Sequence, residues 1–139
     1  MTNANRLKYL RIALLLVGIT FIGGIYLLMM IWPSGWTWHT THSDYPLMIL
    51  GIYATLGVFL IIAARNPLDH LSLIWFTIWS SIVHGAIMAV QSFANPANHG
   101  HLLGDVPALL IVAAVLAVLT PRGESTKQAQ PVNSTTHAT

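Results

Sequence analysis

The chain has 139 residues, of which 55% are hydrophobic and only 7% carry a charged side chain. An average soluble domain is roughly 25% charged, so this composition, with a mean hydropathy of +0.66, is typical of an integral membrane protein. The few Lys and Arg residues are too dispersed to form the basic patch of a nucleic-acid-binding protein, although the net charge is +2. The sequence has no cysteine, which excludes disulfides, thiolate metal sites and c-type haem.

Four apolar segments have the length that a helix needs to cross about 30 Å of hydrocarbon. They cover residues 12–32, 45–64, 71–92 and 102–120. We therefore predict an all-α integral membrane bundle of four transmembrane helices in up-down topology over residues 12–120. Residues 1–11 precede this bundle, and residues 121–139, rich in Ser, Thr and Gln, are predicted to form a disordered cytoplasmic tail.

The positions of the basic residues predict the orientation of the bundle. They lie beside the two termini and the middle connection, and they are Arg6, Lys8, Arg11, Arg65, Arg122 and Lys127. By the positive-inside rule, both termini and the middle connection are cytoplasmic. The first apolar segment is longer than the core of a signal peptide and ends in Trp32-Pro33 rather than a cleavage site. We expect it to be a retained anchor.

The third segment has a polar face. Its polar and soft residues recur at steps of three and four, the spacing of one helix face, and they are Thr77, Ser80, His84, Met88 and Gln91. A polar group exposed to hydrocarbon costs several kcal/mol, so this face is predicted to point into the bundle. The opposite face, with Ile74, Ile78, Ile82 and Ala89, is predicted to lie against lipid.

Small residues predict where the helices approach one another. Thr20 and Gly24 have the small-xxx-small spacing that admits a neighbouring helix. At a rise of 1.5 Å per residue, His84 lies roughly 13 Å below the outer surface. Small residues occur at about that depth on the other three segments, namely Gly23, Gly24, Thr55, Ala113 and Ala114.

Two interpretations of His84 remain open. The small residues either make room for a structural histidine, hydrogen-bonded by Thr55 or a carbonyl, or they form a pocket that opens to the outer face. An ionisable residue inside a membrane is a functional hypothesis by default. The candidate pocket residues are His84, Met88, Gln91, Thr55 and Asp105.

A second group of polar residues falls in the outer connections. Imidazole and carboxylate ligands suit Zn(II) or Cu(II), and the candidate metal ligands are His39, His42, His99, His101 and Asp105. The alternative is that these are solvated loop histidines beside an aspartate at a helix start. We identify no nucleophilic triad and no glycine-rich phosphate loop, so we predict no catalytic residue, and no cofactor apart from this possible outer metal.

Two stretches carry a family resemblance. RNPLDHLSLIWFTIWSSIVHGAIMAVQ and HGHLLGDVPALL resemble a group of small bacterial four-span membrane proteins catalogued as a domain of unknown function. The resemblance implies a bacterial cytoplasmic membrane, and it assigns no activity, ligand or site.

These patterns favour a non-enzymatic membrane protein, either a small-ligand binder or an accessory subunit of a larger complex, with an outward-opening polar site around His84. The alternatives are a metal- or redox-linked membrane protein that uses the outer histidines, and a proton-coupled transporter. The expected partners are the lipid bilayer and either further copies of the chain or a larger membrane complex, and nucleic acid is not among them.

Overall fold

The structure is a computed structural model, and it describes residues 2–37 and 45–121. Within these ranges all regular secondary structure is helical. Helix α1 runs over Asn3–Ile31 and contains a π-helical segment at Thr20–Gly24. The other α-helices are α2 (Pro33–Trp36), α3 (Tyr45–Ala63), α4 (Leu71–Ala94) and α5 (Asp105–Leu119). Two 3₁₀ segments, Pro67–His70 and Pro96–Leu102, precede α4 and α5.

The long helices have the dimensions of membrane spans. Three helical stretches are long and apolar enough to cross a membrane, and they are Asn3–Ile31, Pro67–Ala94 and Pro96–Leu119. A further apolar helix, Leu47–Ala63, is shorter. Large apolar side chains such as Leu16, Trp79 and Val90 point outward from the protein, as expected for a surface in contact with lipid. The length, composition and apolar surface of these helices therefore indicate a membrane location.

Helix α1 begins at Asn3, nine residues before the start of the predicted apolar segment at residue 12. Thr2 has extended backbone angles, and its side-chain oxygen accepts a hydrogen bond from the Asn5 backbone N–H at 3.4 Å. This is the geometry of an N-cap residue, whose side-chain oxygen accepts a hydrogen bond from a first-turn backbone N–H that has no partner within the helix. Residues 3–11 are therefore helical. The predicted disordered tail lies outside the described residues, apart from Pro121.

The helices are packed most tightly in the half that holds the start of α1 and the end of α5, here called the terminal end. One cluster of buried apolar side chains fills this half, and it consists of Leu10, Leu14, Phe21, Leu60, Ala63, Ala64, Ile74, Ile78, Ala113 and Leu116. All four long helices contribute to it. Burial of these side chains from both lipid and water makes this half the structural core.

Arg6 joins the two chain ends at the terminal end. Its guanidinium donates to the Val118 carbonyl oxygen at 2.6 and 3.1 Å and to the Thr120 carbonyl oxygen at 3.1 Å. The last carbonyls of a helix have no intrahelical partner, and their partial negative charge favours a cation. Arg6 therefore caps α5 from α1.

Replacing Arg6 by Ala is expected to lower the free energy of unfolding by about 1–2 kcal/mol, because α5 loses a charged cap. Arg11→Ala is the matched control, since Arg11 is an exposed arginine one and a half turns further along the same helix. Thermal unfolding in detergent measures both variants. Equal losses in the two would contradict the assignment of Arg6 as a cap.

The backbones of α1 and α3 touch at two glycines. A Cβ placed on Gly18 would lie 2.8 Å from the Gly57 carbonyl oxygen, and one on Gly57 would lie 2.6 Å from the Gly18 carbonyl oxygen. The Thr20–Gly24 segment also packs against α3, as its spacing predicts, although the three atoms nearest to a Cβ on Gly24 belong to Thr20 of its own helix. The spacing of small residues indicates that a neighbouring helix can approach closely, but it does not indicate in which direction these residues point.

We predict that Gly57→Ala lowers the free energy of unfolding by about 1–3 kcal/mol, because the methyl group forces two backbones apart. Gly51→Ala, two turns earlier on α3, has no atom within 4 Å of its new Cβ. The control is therefore expected to be neutral, or stabilising by up to about 1 kcal/mol through helix propensity. Chemical or thermal unfolding in detergent distinguishes the two, and a harmless Gly57→Ala would contradict the contact.

Helix α4 is rotated relative to the prediction. Ile74 and Ile78, expected to face lipid, are 0% and 2% exposed, while Thr77 and Met88 are buried as predicted. The lipid-side stripe is instead Phe76, Trp79, Val83, Ile87, Val90 and Phe93. The prediction failed because two hydroxyls of the polar face are satisfied within the helix. Thr77 donates to the Leu73 carbonyl and Ser80 to the Thr77 carbonyl, so they do not determine which face is buried.

The helices pair unevenly. Helix α4 packs mainly against α5, and α1 packs mainly against α3. Helices α3 and α4 contact each other only sparsely although the connection between them is short. Gly85 lies at the contact between α4 and α5, where a Cβ would be 3.5 Å from Leu109 Cβ, an ordinary van der Waals distance. The result is two helix pairs that converge at the terminal end.

Candidate functional site

A cavity of about 520 Å³ lies between the helix pairs in the opposite half, here called the loop end. Small-molecule sites typically have volumes of about 300–1,000 Å³. Apolar side chains such as Ile25, Leu50 and Val112 form most of the wall. The polar side chains that line it are Thr20, Trp36, Tyr53, His84, Gln91, Asn98 and Asp105.

The π-helical segment of α1 positions one wall. It follows directly after the Gly18–Gly57 contact, and π segments in long helices occur frequently at functional sites. Phe21, Ile25 and Met29 line the cavity at steps of four residues along α1. Beyond the π segment, α1 packs chiefly against α2. The space between α1 and the α4–α5 pair is therefore left open in this half.

Three aromatic rings, those of Phe21, Tyr53 and His84, lie in a row along the cavity wall. The ring centroids of Phe21 and Tyr53 are 4.9 Å apart and those of Tyr53 and His84 are 5.8 Å apart, at angles of 79° and 85°. Both contacts are edge-to-face, a favourable arrangement for aromatic pairs. They connect α1, α3 and α4. The imidazole of His84 is therefore positioned by Tyr53, and it lies half-buried in the wall.

Thr55 is not part of this site. Its hydroxyl donates to the Gly51 carbonyl at 2.9 Å within α3, and the predicted hydrogen bond to His84 is wrong. Thr55 lies in a shallow depression on the outside of α3 that also includes Phe59. Depth along a helix axis places Thr55 level with His84, but the direction of the side chain is set by rotation of the helix.

His101 and Asp105 form a buried pair at the loop end. His101 Nδ1 and Asp105 Oδ2 are 2.8 Å apart, and the side chains are 2% and 9% exposed. Asp105 lies in the first turn of α5, where the helix dipole favours a carboxylate. Asp105 also lines the cavity together with Tyr53 and His84. Asp105 therefore connects the buried His101 to the cavity wall that contains His84.

The outer connections form a roof over the cavity. A Cβ on Gly100 would overlap the Ser34 carbonyl oxygen, and one on Gly104 would overlap the Gly35 carbonyl oxygen. Glycine is required at both positions because α2 and the Pro96–Leu102 segment pack backbone against backbone. Trp36 from the first of these segments and Asn98 from the second reach the cavity.

The predicted outer metal site is only partly within the structure. His39 and His42 lie outside the described residues. His99 is exposed, whereas His101 is buried against Asp105. Over residues 2–37 and 45–121 no group of three or more His, Asp or Glu side chains is arranged to hold a metal ion. Metal binding at the outer face stays a prediction.

Four of the five predicted pocket residues line the cavity, namely His84, Met88, Gln91 and Asp105. Sequence reasoning missed Tyr53, Trp36 and Asn98. The signal for Tyr53 was a polar-tipped aromatic residue inside a span at nearly the depth of His84. Trp36 resembled an ordinary interfacial tryptophan, yet its Nε1 is buried and has no hydrogen-bond partner among the described residues.

Residues 4–137 match a family of unknown function, DUF6632. The chain belongs to this family. The match extends over nearly the whole chain, whereas the predicted resemblance rested on the second half. No curated protein and no solved structure matches the chain. For this DUF6632 member, function therefore has to be argued from the cavity and its polar groups.

We predict that His101→Ala lowers the free energy of unfolding by about 1–3 kcal/mol, because the buried Asp105 carboxylate loses its hydrogen bond to His101. The matched control is His99→Ala, since His99 is exposed two residues away and its loss is expected to change stability by less than about 0.5 kcal/mol. Unfolding of both variants in detergent is the measurement. Similar losses would favour a site that both histidines share, such as the outer metal site.

Proposed function

We propose that this protein is a non-enzymatic, four-span membrane protein that binds a small amphipathic molecule in the cavity at the loop end. The observation that carries the proposal is the cavity itself, about 520 Å³ of mainly apolar space into which several polar side chains converge. Ligand sites combine an apolar body with a small number of placed polar groups in this way. The same cavity would serve a free binding protein or an accessory subunit.

The contacts between elements support the proposed topology. Arg6 brings the two chain ends together, and the Pro67–His70 segment contacts α1 in the same half. At 17 residues, Leu47–Ala63 is at the lower end of the ~17–25 residues that span a bilayer. With the basic residues of the described ranges at the terminal end, the positive-inside rule favours cytoplasmic termini in a bacterial membrane and a cavity in the outer half.

One specific observation favours a second candidate, the proton-coupled transporter. His101 contacts Asp105 at 2.8 Å, and Asp105 lines the same cavity as His84 and Tyr53. Titratable groups that follow one another through a bundle can pass protons in a transporter. We rank this function second because the larger part of the cavity wall is apolar, which suits the body of a ligand better than a path for ions.

The test introduces a phenylalanine ring that fills part of the cavity. Ala108 lines the cavity and Ala114 is exposed on the same helix, so Ala108→Phe and Ala114→Phe differ in which side of α5 gains the ring. Native mass spectrometry of each protein, purified from its membrane, reports any small molecule that remains bound. We expect a bound molecule on the wild type and on Ala114→Phe, and at least an about ten-fold loss of occupancy for Ala108→Phe.

Thermal unfolding confirms that both variants remain folded. A folded Ala108→Phe protein that keeps the same bound mass would contradict the cavity as the site. A wild-type protein without any bound molecule, both as purified and after incubation with a total lipid extract, would contradict the proposed function.

A further inference from the structure

The cavity has openings on the sides of the bundle. A wall residue that is itself exposed marks a place where the wall meets the surroundings. Four wall residues are exposed, and they are Thr20, Ile49, Ile87 and Gln91. Ile49 belongs to α3, and Ile87 and Gln91 belong to α4. These are the two long helices that contact each other sparsely despite their short connection. Ile49, Ile87 and Gln91 therefore border a gap between α3 and α4.

This gap faces lipid, whereas the loop end is covered by the roof of packed backbone. Exposed residues next to the gap are apolar, among them Met48, Val83 and Val90. A surface of this kind is in contact with hydrocarbon when the chain is in a membrane. A molecule dissolved in the lipid reaches the gap without crossing water.

The polar groups of the wall limit the charge of the ligand. Among the described residues, the lining includes the Asp105 carboxylate and no Lys or Arg. An anionic head group would therefore meet a like charge in a mainly apolar space, which is unfavourable. A cationic ammonium head would meet a carboxylate that already pairs with His101, and it has no acceptor for Trp36 Nε1–H, a donor that lacks a partner among the described residues. Asn98 and Gln91 each offer both donors and acceptors, so these groups suit an uncharged head with carbonyl or hydroxyl oxygens.

We propose that the cavity takes a membrane-dissolved amphiphile with an uncharged, oxygen-bearing head, which enters sideways between α3 and α4. This inference rests on the proposed binding function and specifies the class of ligand and its route. The apolar body lies against Ile25, Leu50 and Val112, and the head lies near Trp36, Asn98 and Asp105 under the roof.

The class of ligand is tested with three probes that share a decyl-type chain and differ in the head: 1-decanoylglycerol, decanoic acid and decyltrimethylammonium. Each is added to delipidated protein, and its binding is measured by native mass spectrometry. We expect 1-decanoylglycerol to bind at least about ten-fold more tightly than either charged probe. Asp105→Asn is expected to raise the affinity for decanoic acid, with the affinity for 1-decanoylglycerol changed less.

The route is tested by closing the gap. Because the sequence has no cysteine, the double variant Ile49→Cys, Ile87→Cys carries the only thiols, and a short reducible bifunctional thiol reagent joins α3 to α4. The rate at which 1-decanoylglycerol transfers from lipid vesicles to the protein is expected to fall several-fold after cross-linking and to recover after reduction. The matched controls are the two single-cysteine variants treated with the same reagent.

The outcomes separate this inference from the function on which it rests. Tighter binding of either charged probe overturns the assigned head group, and an unchanged transfer rate after cross-linking overturns the route. If no probe binds but the purified protein still carries a molecule that Ala108→Phe removes, the class of ligand is wrong and the binding function stands. If that molecule is also missing, the proposed function itself has failed.

Discussion

The contact between the Gly18 and Gly57 backbones is the constraint on which the rest of the structure depends. It fixes the distance between α1 and α3 midway along the bundle. On one side of it, four helices converge on a buried apolar cluster, and Arg6 ties α1 to the end of α5. On the other side, the π segment begins and the cavity opens, with Phe21 at its floor. A bulkier residue at either glycine would move both halves at once, because packed interiors transmit small displacements.

The two ends of the bundle differ in what they contribute. The terminal end provides close packing and a charged helix cap, which stabilise the fold. The loop end contains polar groups whose burial is costly unless they have partners. There the side chains of His101 and Asp105 lie 2.8 Å apart, and the rings of Tyr53 and His84 pack edge to face. Helix α2 packs on the Pro96–Leu102 segment and covers this region. This packing requires glycine at positions 35, 100 and 104, where a Cβ would overlap a neighbouring atom. A binding site needs such a less densely packed region, and a close-packed core elsewhere makes it tolerable.

The sequence predicts the approximate length and apolar character of the helices well, because hydrophobicity over about 20 residues is a direct consequence of bilayer thickness. It also identifies His84, Met88, Gln91 and Asp105 as neighbours, since depth follows from helix rise. What it cannot give is rotation about each helix axis. Thr55 is level with His84 but lies on the far side of α3, and Ile78 is buried where lipid contact was expected. Rotation depends on the Gly18–Gly57 and Gly85–Leu109 contacts, which join residues far apart in the chain, and a single sequence carries no signal for such pairs.

The methionines provide the most direct measurement of the central claim, that the space at the loop end is a binding site. Met29 and Met88 line the cavity, whereas Met30 and Met48 are 65% and 62% exposed outside it. Spectra of the protein labelled with ¹³C at the methionine methyl groups are recorded as 1-decanoylglycerol is added in detergent. The account predicts saturable shifts of the Met29 and Met88 signals, and no saturable shift for Met30 and Met48. Shifts of all four signals that grow together in proportion to the added amphiphile would show that it only partitions into the micelle, and would contradict the account.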